Sequence, residues 1–416
     1  MKTHLCARPL LELLTGCLIL VACVQPVREH APRHIRSSAA AEVQNGAPQD
    51  SAKPPTLHEL APSGPLGTET RLALLLPLTG PYASQAEMVR EGFMAALYAA
   101  APHPSIRIYD TGSGVDGVRR AAEQARSDGA QFLIGPLRKD AVMAVAAQGT
   151  PPVPVLALNY LDTTQYAPPY FYQLGLAPED EARAAAEQAA AAGLRHAAAL
   201  TPQNEWGERI LTAFSRRLTE LGGDLTSIQR YSPDSPAAAP PIAALMGLPE
   251  SEERHRALMT VLGTKTEFDA RRRDDLDFVF VAARAEQGRL LVPQLRFHRL
   301  GNLPVYATSQ AFDSGAGDSD LSGLRTCDMP LMLDNNGRYA AQRAQLSELF
   351  PRRSRDQQRL FALGYDAFQL LGFLRSGPLP AGGGFPAASG DLGMGGNGAI
   401  TRALSCADLR AASALP

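Results

Sequence analysis

The chain has 416 residues and a formal net charge of −2, so it carries no basic footprint for nucleic acid. Hydrophobic residues make up 45% of it, enough to fill a sizeable core. Five cysteines in so long a chain exclude a disulfide-built scaffold.

The amino end opens with Lys2 and Arg8 and then a short apolar run from Leu13 to Ala22. A helix needs about twenty such residues to span a bilayer, so the run reads as the core of a signal peptide covering residues 1–22. Leu20-Val21-Ala22-Cys23 resembles the bacterial lipobox, which predicts lipidation of Cys23 and a membrane anchor. The alternative is an ordinary signal peptide with an incidental cysteine. Val24 follows where inner-membrane lipoproteins of many Gram-negative bacteria carry Asp, so the resemblance implies the outer membrane, on its periplasmic face. Cleavage before Cys23 leaves Cys327 and Cys406 as the thiols of the folded part; a periplasmic setting permits them to pair, and the sequence leaves that open. Residues 23–68 are rich in Ala, Pro, Ser and Gln without apolar periodicity, which predicts a disordered tether. As a flexible coil, about 45 residues reach roughly 35–40 Å. His30 and His34 lack companion ligands, so no metal site is expected there.

At Arg71 the texture changes. RLALLLPLTG is a buried strand stopped by Pro77 and a Gly80-Pro81 turn, and Val89, Phe93, Leu97 and Ala100 then share a helical face. IRIYDT, QFLIGPL and VPVLALN are the next strands, separated by helices over 115–127 and 139–148. The pattern restarts with a helix from Glu179 to Gly193, the strand HAAALT, a helix from Trp206 to Leu221, and the strands DFVFVAA and PVYATS around a helix over 288–300. Nearly continuous apolar strands alternating with helices predict α/β architecture with parallel sheets flanked by helices. Two such blocks exceed one core, so the body, 69–416, should form two lobes. Residues 232–275 look like an insertion in the second lobe. A long helix, Gln357 to Ser376, is expected to join the first lobe, and the glycine-rich hairpin GDLGMGGNGAITRAL to complete the second. This is the topology of the type I, leucine-binding class of periplasmic binding proteins.

Catalytic patterns are missing. GMGGNG lacks the Lys-Ser/Thr of a phosphate loop and reads as a hairpin turn, and no Gly-x-Ser-x-Gly, Ser-x-x-Lys or His-Glu-x-x-His occurs. The histidines from His58 onward, His58, His103, His196, His255 and His298, show no paired spacing. No enzyme, cofactor or metal is expected.

Three stretches go beyond generic fold: RLALLLPLTGPYASQAEMVREGFMAA, FDARRRDDLDFVFVAA, and LRTCDMPLML with the later GYDAFQLL. They resemble the penicillin-binding protein activators, the LppC/LpoA family of lipoproteins, from Arg71 to about Leu409. The resemblance implies a non-catalytic regulator that sits on the outer membrane, reaches through the wall to a bifunctional class A penicillin-binding protein and stimulates peptidoglycan synthesis. Longer members carry a further helical-repeat domain before this one. The body here is therefore expected to hold the docking surface itself, with Arg271, Arg272 and Arg273 as candidates; equally, the run reads as a solvated patch beside Asp274 and Asp275. Members tend to have Trp where this chain has Cys406.

The second reading is a substrate-binding lipoprotein of an amino-acid or peptide ABC importer, since the fold is built around an interlobe cleft. Its cleft candidates are Thr79 after the first strand, Arg138 after the third, Asn159 and Tyr160 after the fourth, and Trp206 in NEWGER. Arg138 would clamp an anion or sit exposed on the rim; Trp206 would cover a ligand or pack at a helix start.

Overall fold

The computed structural model describes residues 66–409 apart from 163, 236, 314–317, 334–336, 350–353, 377–378 and 380–383. The signal peptide, Cys23 and nearly all of the expected tether lie outside the described residues. Leu66, placed in that tether by the sequence, is already buried in a core, so the folded body begins slightly earlier than residue 69.

The first block runs β1 (Arg71–Leu76), α1 (Ala83–Ala99), β2 (Ser105–Asp110), α2 (Val115–Ser127), β3 (Phe132–Ile134), α3 (Lys139–Ala146), β4 (Val155–Ala157) and β5 (Phe171–Gln173). Its five strands are all parallel, in the order β2-β1-β3-β4-β5. The run of β1 is apolar on both faces because both faces are covered. Leu72, Leu74 and Leu76 point into one core with α1, while Ala73 and Leu75 point into the other with α2 and α3.

The second block runs α4 (Pro178–Ala191), β6 (His196–Pro202), α5 (Glu205–Glu220), β7 (Asp224–Tyr231), α6 (Ala239–Leu245), α7 (Leu248–Leu262), β8 (Phe278–Val281), α8 (Ala285–Phe297), β9 (Val305–Thr308) and β10 (Leu324–Asp328). Its sheet is ordered β14-β10-β9-β8-β6-β7, where β14 (Ser405–Asp408) is the one antiparallel strand. Phe278 and Phe280 face α4 and α5, where Phe214 stacks on Phe280 at 4.0 Å; Val279 and Val281 face α6 and α8. Both sheets therefore repeat the same winding: the second strand lies to one side of the first, and the rest to the other.

The segment 232–275 is only partly an insertion. Ala238, Ile242, Leu245, Met246 and Leu248 are buried in the second core, so α6 serves as the crossover between β7 and β8. The surface excursion is α7 beyond Ser251 and the chain that follows it to residue 269, with Leu258, Val261 and Leu262 exposed.

The remaining elements are α9 (Pro330–Leu333), α10 (Ala340–Leu349), α11 (Arg355–Ser376), β11 (Phe385–Ala387), β12 (Gly390–Met394), β13 (Ile400–Ala403) and β14 (Ser405–Asp408). As expected, α11 covers the first lobe: Leu363, Ala367, Leu370 and Leu371 enter its core. It crosses α1 at glycine. A β-carbon on Gly92 would stand 1.9 Å from the Phe361 carbonyl oxygen, and one on Gly364 1.9 Å from that of Val89.

The hairpin goes to the opposite lobe from the one expected. Leu392 and Ile400 bury into the first core, and Ala399 bridges Gln173 at the edge of the first sheet. At its turn Asn397 adopts φ 60°; its Oδ1 accepts from the Ala167 N–H at 2.6 Å, and its Nδ2 donates to the Gln165 carbonyl at 2.8 Å. Only β14 continues to the second sheet, where Cys406 lies opposite Cys327 and the two form a disulfide.

Candidate functional site

In wound sheets of this order, ligands sit beyond the carboxyl ends of the strands, where the winding reverses. In the first lobe that point lies between β1 and β3, and Thr79 and Arg138 stand there. Both are committed within their own lobe. Thr79 Oγ1 donates to Asp110 Oδ2 at 2.7 Å. The Arg138 guanidinium donates to the Ser113 carbonyl and to Asp140, and lies 5.1 Å from the Tyr82 ring centre. Half-buried and paired, it is neither a free anion clamp nor a bare rim arginine. Asn159 closes its own loop, donating to the Leu137 carbonyl at 3.1 Å and accepting from the Tyr160 N–H at 2.9 Å. Tyr160 is a structural anchor instead of a cleft wall. Its hydroxyl donates to the Ile400 carbonyl at 2.7 Å, tying β13 to the first lobe, and burial raises its pKa.

The second lobe reverses between β6 and β8, and there the situation differs. Asn204 caps α5 by accepting from the Gly207 N–H at 2.9 Å, which sets Trp206 at the helix start. Arg284, just past β8, lies 5.6 Å from the Trp206 ring centre and has no ion-pair partner among the described residues. Sequence reading missed Arg284. A cavity of about 320 Å³ opens beside it, walled by Gln310, Phe312 and the first turn of α11.

Buried charges join the two blocks behind this cavity. Arg359 of α11 grips Asp328 at the end of β10 with both arms, Nη2 to Oδ2 at 2.6 Å and Nε to Oδ1 at 3.1 Å. Arg355 adds a third contact at 3.2 Å. These two guanidinium groups hold the Asp328 carboxyl below its usual pKa against burial, which acts the other way and is the largest influence. Glu181 accepts from the Ser309 N–H at 2.7 Å and the Ser309 hydroxyl at 2.8 Å. Burial, helped by the Asp328 charge, pushes its pKa up to about 7. On the hairpin, Arg402 of β13 reaches Asp180 of α4 at 2.8 Å with both side chains almost wholly buried.

Arg271, Arg272 and Arg273 lie at the amino end of β8, the opposite end of that sheet from the cavity. Only Arg271 is exposed. Arg273 is half-buried and forms a two-pronged pair with Asp275 at 2.7 and 2.8 Å, and Arg272 folds back onto the Arg273 carbonyl at 2.9 Å. Among the described residues no group of three metal-ligating side chains occurs, and no helix is long and apolar enough to cross a membrane.

Comparison with known proteins matches this architecture. The penicillin-binding protein activator LpoA of Vibrio antiquarius (strain Ex25) is 30% identical over 349 residues, covering 81% of this chain and 56% of that protein. The chain thus spans about half the length of the curated relatives it matches. Among solved structures, the LpoA (YraM) C-domain from Haemophilus influenzae, a regulator of PBP1A, superposes with a TM-score of 0.64 at 24% identity, covering 82% of this chain and 98% of that one. A putative branched-chain amino acid ABC transporter from Rhodospirillum rubrum gives 0.63 at 16% identity, over 83% and 99% of the two chains. Those likenesses establish the leucine-binding-protein type of fold. The family described as "LppC putative lipoprotein" matches residues 48–410, and with both lobes inside that span the chain belongs to the LppC family, that of the penicillin-binding protein activators.

Proposed function

We propose that this protein is an outer-membrane lipoprotein, anchored through Cys23, that binds a class A penicillin-binding protein and raises its rate of wall crosslinking without catalysing a reaction itself. The observation that carries this reading is membership of the LppC family across both lobes, residues 48–410. Two features support it over an importer's binding protein. The first lobe's cleft residues are bonded to one another, leaving little to grip a solute on that side. The Arg359–Asp328 and Arg402–Asp180 pairs also resist a cycle of opening, since parting either strands a buried charge. Arg271, the exposed member of the triplet, is placed to speed encounter with an acidic partner surface.

The test is reconstitution: the intact lipoprotein with the periplasmic part of its class A synthase, measuring capture and crosslinking. Faster crosslinking with the lipoprotein, and none from the lipoprotein alone, is the expected result. No capture of the synthase, together with tight calorimetric binding of an amino acid, would replace this reading with the importer one. Cys23→Ser should release the protein from membranes while leaving its thermal unfolding unchanged; a membrane-bound variant refutes the anchor.

A further inference from the structure

The carboxyl ends of the second sheet hold chemistry that the activator reading does not use. At the first lobe's reversal point the polar groups satisfy one another; at the second lobe's they do not. Among the described residues, Gln310 Oε1 and Arg355 Nε have no hydrogen-bond partner although both are buried, and both residues wall the same cavity. Leaving such atoms unmet costs about 1–3 kcal/mol each, more for a charged group. Arg355 is 13% exposed at its side chain and shares its one carboxylate, Asp328, with the better-placed Arg359. Burial pulls its pKa down. Arg284 stands at the mouth without an ion pair. Each of these two arginines lies over an aromatic ring, Arg284 5.6 Å from the centre of Trp206 and Arg355 4.4 Å from that of Phe312.

We propose that this cavity binds the carboxylate end of a short peptide. Two guanidinium groups suit a carboxylate, which takes paired N–H donors. The wall also holds Glu286, Asp313 and Asp356, of which Asp313 is paired with Arg289 and Asp356 with Arg359. The Gln310 carbonyl oxygen, an acceptor, suits the amide N–H one residue back. Phe312 offers apolar surface to the side chain, and Trp206 stands behind Arg284 at the mouth. A volume of about 320 Å³ fits one or two residues, not a longer chain. The assignment rests on this geometry alone and stands whether or not the protein stimulates a synthase.

Trp206 is the chain's only tryptophan, so its fluorescence reports on this site. The probe is N-acetylalanine, of either hand, titrated into the intact protein up to about 10 mM and followed by fluorescence and calorimetry. N-acetylalanine amide, which lacks the carboxylate, is the control. The expected result is saturable binding of the acid, with the amide about tenfold weaker or silent. Arg284→Gln should weaken the acid about tenfold with unchanged thermal unfolding, and Gln310→Met should weaken it while sparing acetate. No saturable signal by either method, equal affinity for acid and amide, or binding indifferent to both substitutions overturns the proposal.

Discussion

Replacing Gly364 by alanine tests whether the first lobe depends on the bare crossing of α1 and α11. The new methyl would lie 1.9 Å from the Val89 carbonyl oxygen, 2.8 Å from its carbon and 3.0 Å from the Phe93 nitrogen. These neighbours are backbone and cannot swing aside, so the helices must part by at least about 1 Å. Overpacking of this kind costs about 1–3 kcal/mol, and the upper end applies where backbone meets backbone. Parting the helices also loosens Phe93, Leu363 and Ala367 in the first core, at a further cost of about 1–2 kcal/mol. Against this, alanine favours a helix over glycine by about 1 kcal/mol. The net expectation is a loss of about 2–4 kcal/mol, seen as a first unfolding transition lowered by roughly 5–10 °C. Gly67→Ala, with nothing within 4 Å of its new methyl, is the control and should stay within about 0.5 kcal/mol of the parent. A Gly364→Ala protein as stable as that control refutes the reasoning.

Three further outcomes follow from the buried groups. Arg402→Met should cost about 3–5 kcal/mol in chemical unfolding, because it leaves the Asp180 carboxylate buried with only Arg183 near it. Cys327→Ser should cost about 2–5 kcal/mol under oxidising conditions and nothing once the parent is reduced, since the bond closes a loop of 79 residues. The pKa of Glu181 is raised in the fold from the ordinary 4.5 to about 7, so the folded protein binds the extra proton and the associated stability is lost as pH rises through that window. In Glu181→Gln the amide oxygen can still accept from the Ser309 N–H while the amide nitrogen donates to the Ser309 hydroxyl, so the variant should flatten that decline in urea titrations between pH 4.5 and 7; an unchanged slope would show that Glu181 is already ionised at the lower pH.

Strands buried on both faces announce themselves, and that is why β1, β6 and β8 could be read directly as apolar runs. The strand β7 could not. It lies at a sheet edge with only Tyr231 fully buried, so DLTSIQRY mixes polar and apolar residues. Missing it hid more than a strand, because without β7 the order of the second sheet, and hence its reversal point, could not be placed. Arg284 then looked like an ordinary residue after FVFVAA. The hairpin shows a different limit. Leu392 and Ile400 mark an apolar face, but periodicity cannot say which of two cores receives it. Tyr160 fails for distance: its partner carbonyl at Ile400 is 240 residues away. Arg138, by contrast, has Asp140 two residues on, and that pairing was open to view.

The course of the chain through residues 385–408 also orders how the body can mature. Residues 385–403 close the first core, and residues 405–408 cover the edge of β10. Each lobe thus waits on one short stretch that is made after all the other strands of its sheet. Until it emerges, β10 shows an open edge able to pair with another chain, and Cys327 is a lone thiol. A chaperone or thiol oxidase acting on this protein therefore has its longest opportunity on the second lobe. Stalled or clipped chains lacking that stretch should be recognised as unfinished in both lobes at once, giving proteases a single checkpoint for the whole body.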